Sequence, residues 1–245
     1  MTPSMSPGST DSPAASSKQV PTARDNGRSA TETVADQLRE RIKYGRLAPG
    51  QRLVEVDLIH ELRVSRSTIR AAFSQLASEG IIILEHNRGA HVRVLDLDGI
   101  RQLYEVRATL EGRAAGLTAQ RVETPGCRQA MHSLLEHSSD FSDGSSFAAY
   151  WNYNENLHRT VLQFAGNDML RQWAEQARTL TYHYHLRAAT AQDDPGRPVS
   201  ISHACEQHQL ILEAILAGDA DRAEAAMREH IHANGKGIRA FMQRA

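Results

Sequence analysis

The sequence predicts a mainly α-helical protein in two parts, a small N-terminal helical unit closed by one β-hairpin and a longer all-helical bundle behind it. Three observations predict this. Apolar residues recur at helical spacing from Val34 almost to the C-terminus. The one stretch that reads as strands is Ile81 to Val94, β-branched and broken by the turn residues His86-Asn87-Arg88-Gly89. Gly, Pro, Ser and Asp punctuate the periodic runs where helices would start and stop.

The chain has 245 residues, enough for one large or two small domains. Its formal net charge of −1 excludes a coat of basic residues. The charge is unevenly spread: residues 29–94 hold ten Lys/Arg against eight Asp/Glu, and residues 95–245 hold fifteen against nineteen. A slightly basic front joined to an acidic rear fits a nucleic-acid-binding module tied to a second function. Two cysteines, Cys127 and Cys205, are too few for a disulfide framework and fit free thiols in a reducing compartment. No apolar run approaches the roughly 20 residues that span a bilayer, and the N-terminus lacks an apolar signal core. A cytoplasmic protein without membrane contact is expected. Residues 1–28, rich in Ser, Pro, Thr and Ala, bury too little to offset ordering and are expected to be a disordered tail.

The first unit is expected over 29–95. Ser29 or Thr31 can cap a helix carrying Val34, Leu38 and Ile42, which Gly45 stops. After the Leu47-Ala48-Pro49-Gly50 turn, a short helix runs from about Glu55 to Leu62. Arg63-Val64 then leads into VSRSTIRAAFSQLASEG, with Ile69, Phe73, Leu76 and Ala77 on one stripe. Two short helices joined by three or four residues have helix-turn-helix spacing, and the hairpin after Gly80 supplies a wing. The second helix opens with Ser65, Arg66, Ser67, Thr68 and Arg70 where surface helices favour acids. Free backbone N–H groups and guanidinium groups at one end suit a phosphate or a base edge, although a serine-capped solvated helix start has the same composition. Arg88 and His91 of the wing can reach phosphates or the minor groove.

The text LAPGQRLVEVDLIHELRVSRSTIRAAFSQLASEGIIILEHNRGAHV resembles the N-terminal domain of the GntR transcriptional regulators. Arg66, Arg70, Leu76, Gly80 and Gly89 match that pattern, while Thr68-Ile69 replaces the commoner Pro-Val. The resemblance implies that Arg66 and Arg70 meet double-stranded operator DNA. It also implies that Ser65, Ser67 and Thr68 touch phosphate or bases, and that Arg88 and Gly89 belong to the wing.

The second unit, 96–245, reads as six helices. Asp96 or Asp98 starts the first, whose stripe is read as Ile100, Leu103, Val106, Leu110, Ala114 and Leu117. Others follow at about 125–137, 146–164, 168–189, 200–217 and 220–242, with turns at Asp143-Gly144 and Gln192 to Pro198. Asn154 and His158 share a helix face with Val161, Leu162 and Ala165. His208 lies beside Ile211 and Leu212, and His230 beside Met227. Three inward imidazoles from different helices could hold zinc, nickel, copper or iron, although an inward histidine is more often a hydrogen-bonded core residue. Arg107 lies on or beside an apolar stripe, where an unpaired charge is costly. It can pair with Glu111 four residues on, or face a cavity and take a carboxylate in bidentate fashion.

This half resembles the FCD effector domain of the FadR branch of GntR regulators, and with six helices the VanR-like subgroup. The metal motif of that family falls on Asn154, His158, His208 and His230, with Asn154 where Asp is commoner. The resemblance implies a divalent ion, zinc foremost, with nickel, manganese or iron compatible. It also implies an organic-acid effector at Arg107, in a cavity expected to be strongly positive. Tyr104, Arg113, His183 and His185 are weaker pocket candidates. The function expected is a homodimeric, ligand-gated transcriptional regulator, a repressor controlled by a small carboxylate. A regulator that senses the metal itself, or a metal-dependent hydrolase, are the other readings. No HExxH motif and no nucleophile–base pair is visible, which counts against the hydrolase.

Overall fold

The computed structural model describes residues 28–86, 88–142, 145–190 and 200–244, with the side chains at 182, 183 and 185–190 left aside. The expected tail up to residue 27, the Asp143-Gly144 turn and the 192–198 loop lie outside the described residues.

Helix α1 spans Ala30–Lys43. Ser29 starts it with a capping box: Glu32 N donates to Ser29 Oγ at 3.1 Å and Ser29 N donates to Glu32 Oε2 at 2.8 Å. Gly45, with φ of 68°, turns the chain out of it. Strand β1 (Arg52–Leu53) follows, too short to show any alternation in the sequence. Helix α2 (Glu55–Leu62) ends at Arg63, which adopts φ of 53°, and α3 spans Arg66–Ser78. Strands β2 (Ile82–Glu85) and β3 (Gly89–Val92) form the hairpin, and β1 adds to its other edge in the antiparallel order β1-β3-β2. Ile82 pairs with Val92 and Arg52 with His91. Val34, Leu38, Ile42, Ile69, Phe73, Leu76, Ile82 and Val92 share one core. That core fixes the direction in which α3 points its polar face.

The rear half is α4 (Leu97–Gln120), α5 (Cys127–Ser138), α6 (Phe147–Phe164), α7 (Asp168–Thr190), α8 (Ile201–Leu216) and α9 (Ala220–Arg244). The buried face of α4 differs from the expected stripe. Ile100 and Ala114 of that stripe are buried, and Leu110 and Leu117 are half-buried against the core, but Leu103 is only half-buried and Val106 is 50% exposed. The face turned inward carries Ile100, Tyr104, Arg107, Ala108, Glu111, Ala115 and Thr118. Close approach to α9 explains the choice. A Cβ added at Gly112 would lie 2.5 Å from Arg228 Cγ, and one at Gly116 would lie 3.1 Å from the Ala220 carbonyl oxygen. The small-residue face lets the two helix backbones meet, so it wins over the face with more leucine.

The halves touch. Leu95 N donates to Tyr184 Oη at 2.7 Å, and Gln176 Nε2 donates to the Glu79 carbonyl at 2.7 Å. Leu180 of α7 packs against the front core. Among the described residues, no helix is long and apolar enough to cross a membrane.

Candidate nucleic-acid interface and candidate metal centre

Ser65 caps α3. Its Oγ accepts from Thr68 N at 3.1 Å and lies 2.7 Å from Ser67 Oγ and 2.8 Å from Thr68 Oγ1. Ser65 therefore organises the helix start, with Ser67 exposed and Thr68 half-buried beside it. Arg66 and Arg70 are exposed. Arg70 is held only loosely, its Nε 3.9 Å from Glu55 Oε1. In the wing, Arg88 has 78% of its side chain exposed, with Nη1 3.5 Å from Glu85 Oε2, and Gly89 opens β3 with φ of 85°. Guanidinium groups, hydroxyls and a helix N-terminus on open surfaces present the donors that phosphates and base edges accept.

Inside the bundle, His158 of α6, His208 of α8 and His230 of α9 each bring a ring nitrogen to within 4.8 Å of the others'. All three are buried. His208 Nε2 and His230 Nε2 are 3.2 Å apart. Two nitrogens on one tetrahedral zinc, each at about 2.0–2.1 Å, stand about 3.3 Å apart, so the spacing suits a shared ion. The tautomers suit it too. His158 Nδ1 lies 2.7 Å from Glu111 Oε2, and His230 Nδ1 lies 3.0 Å from Gln207 Oε1. His230 Nδ1 faces an acceptor oxygen, which favours its proton on Nδ1, while its Nε2 has Asn234 Nδ2 and His208 Nε2 as neighbours, contacts that a bound ion would replace. Burial lowers the pKa of all three imidazoles, and positive neighbours, Arg178 among them for His158 and His208, lower it further. Neutral imidazoles are the form that ligates.

Asn154 is buried and lines one small cavity with Arg107, His158, Arg178, Thr181 and Asn234. The cavity leaves about 20 Å³ for water centres, room for one or two waters. Asn234 Nδ2 lies 3.1 Å from His230 Nε2, tying the cavity to the imidazoles.

Both readings of Arg107 meet in this structure. Its Nε donates to Glu111 Oε1 at 2.8 Å and its Nη1 to Thr181 Oγ1 at 3.1 Å, and the group still lines the cavity. Glu111 is the residue the sequence undervalued, named there only as a pairing partner. It also accepts from Arg178 Nη1 at 3.0 Å. Burial raises its pKa, but Arg107, Arg178 and His158 outweigh that and hold the carboxyl well below the usual carboxylate range. The expected strongly positive cavity is corrected accordingly: Glu111 and Glu155 stand against Arg107 and Arg178. Arg178, 67 residues from Glu111, had no local signal. Tyr104 is buried, with Arg107 5.1 Å above its ring. Arg113 is exposed, 3.4 Å from Glu224. His183 and His185 lie outside the described side chains.

Residues 30–92 match the family model for bacterial regulatory proteins of the gntR family, and residues 102–233 match the FCD domain. The chain is 30% identical over 183 residues to the Nta operon transcriptional regulator of Aminobacter aminovorans, covering 68% of this chain and 87% of the relative. It is 28% identical to a probable D-xylose utilization operon transcriptional repressor of Paenarthrobacter nicotinovorans, covering 86% and 94%. Among solved structures, E. coli McbR/YncC shares the fold, with a TM-score of 0.73 at 20% identity over 89% of this chain and 100% of that one.

Proposed function

The chain belongs to the GntR family of bacterial regulatory proteins, with an FCD domain behind its winged helix, and from that premise we propose how it works as a regulator. Family and relatives make it a DNA-binding regulator and not an enzyme. In our reading, residues 29–95 bind operator DNA and residues 96–245 bind the signal and form the dimer. Ser67, Thr68, Arg66 and Arg70 meet the major groove and its phosphates, Ser65 sets their geometry, and Arg88 and Gly89 carry the wing. A homodimer places two such units on a palindromic site in the bacterial cytoplasm, as a repressor. The six helices among the described residues of the rear half favour the VanR-like subgroup.

The observation that carries the signal site is the convergence of three buried imidazoles whose ring nitrogens lie within 4.8 Å of one another. We read His158, His208, His230 and Asn154 as ligands of a divalent ion, zinc foremost. Such an ion supplies a fixed positive charge that a carboxylate can complete. Arg107 presents a guanidinium at the same cavity and orients a small organic acid there. Because Glu111 and Thr181 already hold Arg107, an entering acid has to share or displace those contacts. The smallness of the cavity favours a second reading, in which the ion is itself the signal.

Elemental analysis of the purified protein tests the site. Wild type is expected to hold about one divalent ion per chain after dialysis, and His158→Ala/His208→Ala/His230→Ala to hold none. Equal metal in both would rule the site out.

A further inference from the structure

A line of ion pairs runs from the bundle site to the front half. Glu111, which touches His158, accepts from Arg178 Nη1 at 3.0 Å. Arg178 gives its other terminal nitrogen to Glu155 Oε1. Glu155 Oε2 lies 2.7 Å from the Nζ of Lys43, the last residue of α1. Exposure rises along the line, from 1% at the Glu111 side chain through 10% at Arg178 to 27% and 26% at Glu155 and Lys43. Glu155 also lines the same cavity as Asn154 and His158. Beyond Lys43, α1 shares its core with α3 through Val34, Leu38, Ile69 and Phe73. Helix α7 has two working faces: Arg178 and Thr181 line the cavity, while Gln176 and Leu180 hold the last turn of α3 and the front core.

We propose that Glu111, Arg178, Glu155 and Lys43 form the physical connection through which occupancy of the imidazole site reaches the DNA-binding half. An ion held by His158 would put positive charge beside the Glu111 carboxylate, whose Oε2 lies 2.7 Å from His158 Nδ1, and would draw that carboxylate toward the imidazole. Arg178 then leans on Glu155, and the share of Glu155 left to Lys43 changes. Lys43 is a positioning residue in this scheme: it touches neither the imidazoles nor the recognition surface. The proposal rests on the metal reading above.

Amide hydrogen exchange on the full chain tests it, after chelation and then with zinc chloride added. In wild type, zinc is expected to slow exchange in α6, α8 and α9 and to shift exchange in α1 and α3. Lys43→Met should keep the bundle response and cut the α1 and α3 response by about threefold or more. Lys43→Arg, which preserves the ion pair, should restore it. A Lys43→Met variant whose α1 and α3 still respond as in wild type would overturn the proposal alone. So would a wild type in which zinc protects the bundle and leaves α1 and α3 unchanged. A bundle that does not respond to zinc would overturn the metal reading, and this proposal with it.

Discussion

At the scale of single residues, the two ends of the molecule show opposite electrostatic situations. Arg66 and Arg70 stand exposed at a helix start, so removing either disturbs no packing. We expect Arg66→Ala and Arg70→Ala each to keep the wild-type circular dichroism spectrum and to weaken operator binding. A guanidinium on a guanine edge is worth about 1–3 kcal/mol, with relaxed specificity at one base. Unchanged affinity of both variants in gel-shift titrations at fixed salt would remove α3 from the groove. Glu111 is the reverse case: buried at 1% exposure, it pairs with both Arg107 and Arg178 and lies against His158. Breaking a buried pair by removing one partner leaves an uncompensated charge. Its substitution therefore reports on folding before it reports on function.

At the scale of elements, α4 against α9 decides how tightly the bundle closes. Gly235 of α9 faces the Tyr104 ring, where an added Cβ would lie 2.7 Å from Cγ and 2.9 Å from Cβ and Cδ1. In an open helix, Gly→Ala stabilises by about 1 kcal/mol. Here Tyr104 is buried and cannot swing aside, so we expect Gly235→Ala to lower stability by about 1–3 kcal/mol, the usual cost of overpacking. Thermal denaturation followed by circular dichroism would show it, and a raised midpoint would mean that the two helices are not in contact at this point. The same packing explains why Leu103 and Val106 fall outside the buried face that their hydrophobicity suggests. Two glycines and a row of alanines admit the α9 backbone, and leucines do not.

At the scale of the whole molecule, ligand binding and folding are linked. An ion bound by α6, α8 and α9 exists only while those helices are assembled. At free zinc about 100 times the dissociation constant, the folded state gains about 2.7 kcal/mol. For a protein of this size that corresponds to a rise of roughly 5–10 °C in the bundle's midpoint. Scanning calorimetry of wild type with zinc and with chelator would measure it. The triple histidine variant should show no shift, and a shift of equal size there would place the ion elsewhere.

The sequence by itself determined the helical runs, their candidate caps and the winged helix, because helical period, Ser and Asp caps and turn glycines are local signals. Ser29, Ser65, Asp96 and Ser200 each cap the helix that follows them; the sequence offered Thr31, Asp98 and Ser202 beside the first, third and fourth, and the structure chose between them. The sequence also placed His158, His208 and His230 on inward faces, since four-residue spacing to apolar neighbours reports direction within one helix. Two things were decided only by the tertiary structure. One was which face of α4 turns inward, a choice set by how closely α9 approaches, with no trace in the hydrophobicity of α4 alone. The other was the company Arg107 keeps. Glu111 was visible as a neighbour four residues away, but Arg178, Thr181, Glu155 and Lys43 come from other helices. Charge balance in a buried site depends on who meets whom across the chain, and periodicity within one helix carries no information about that.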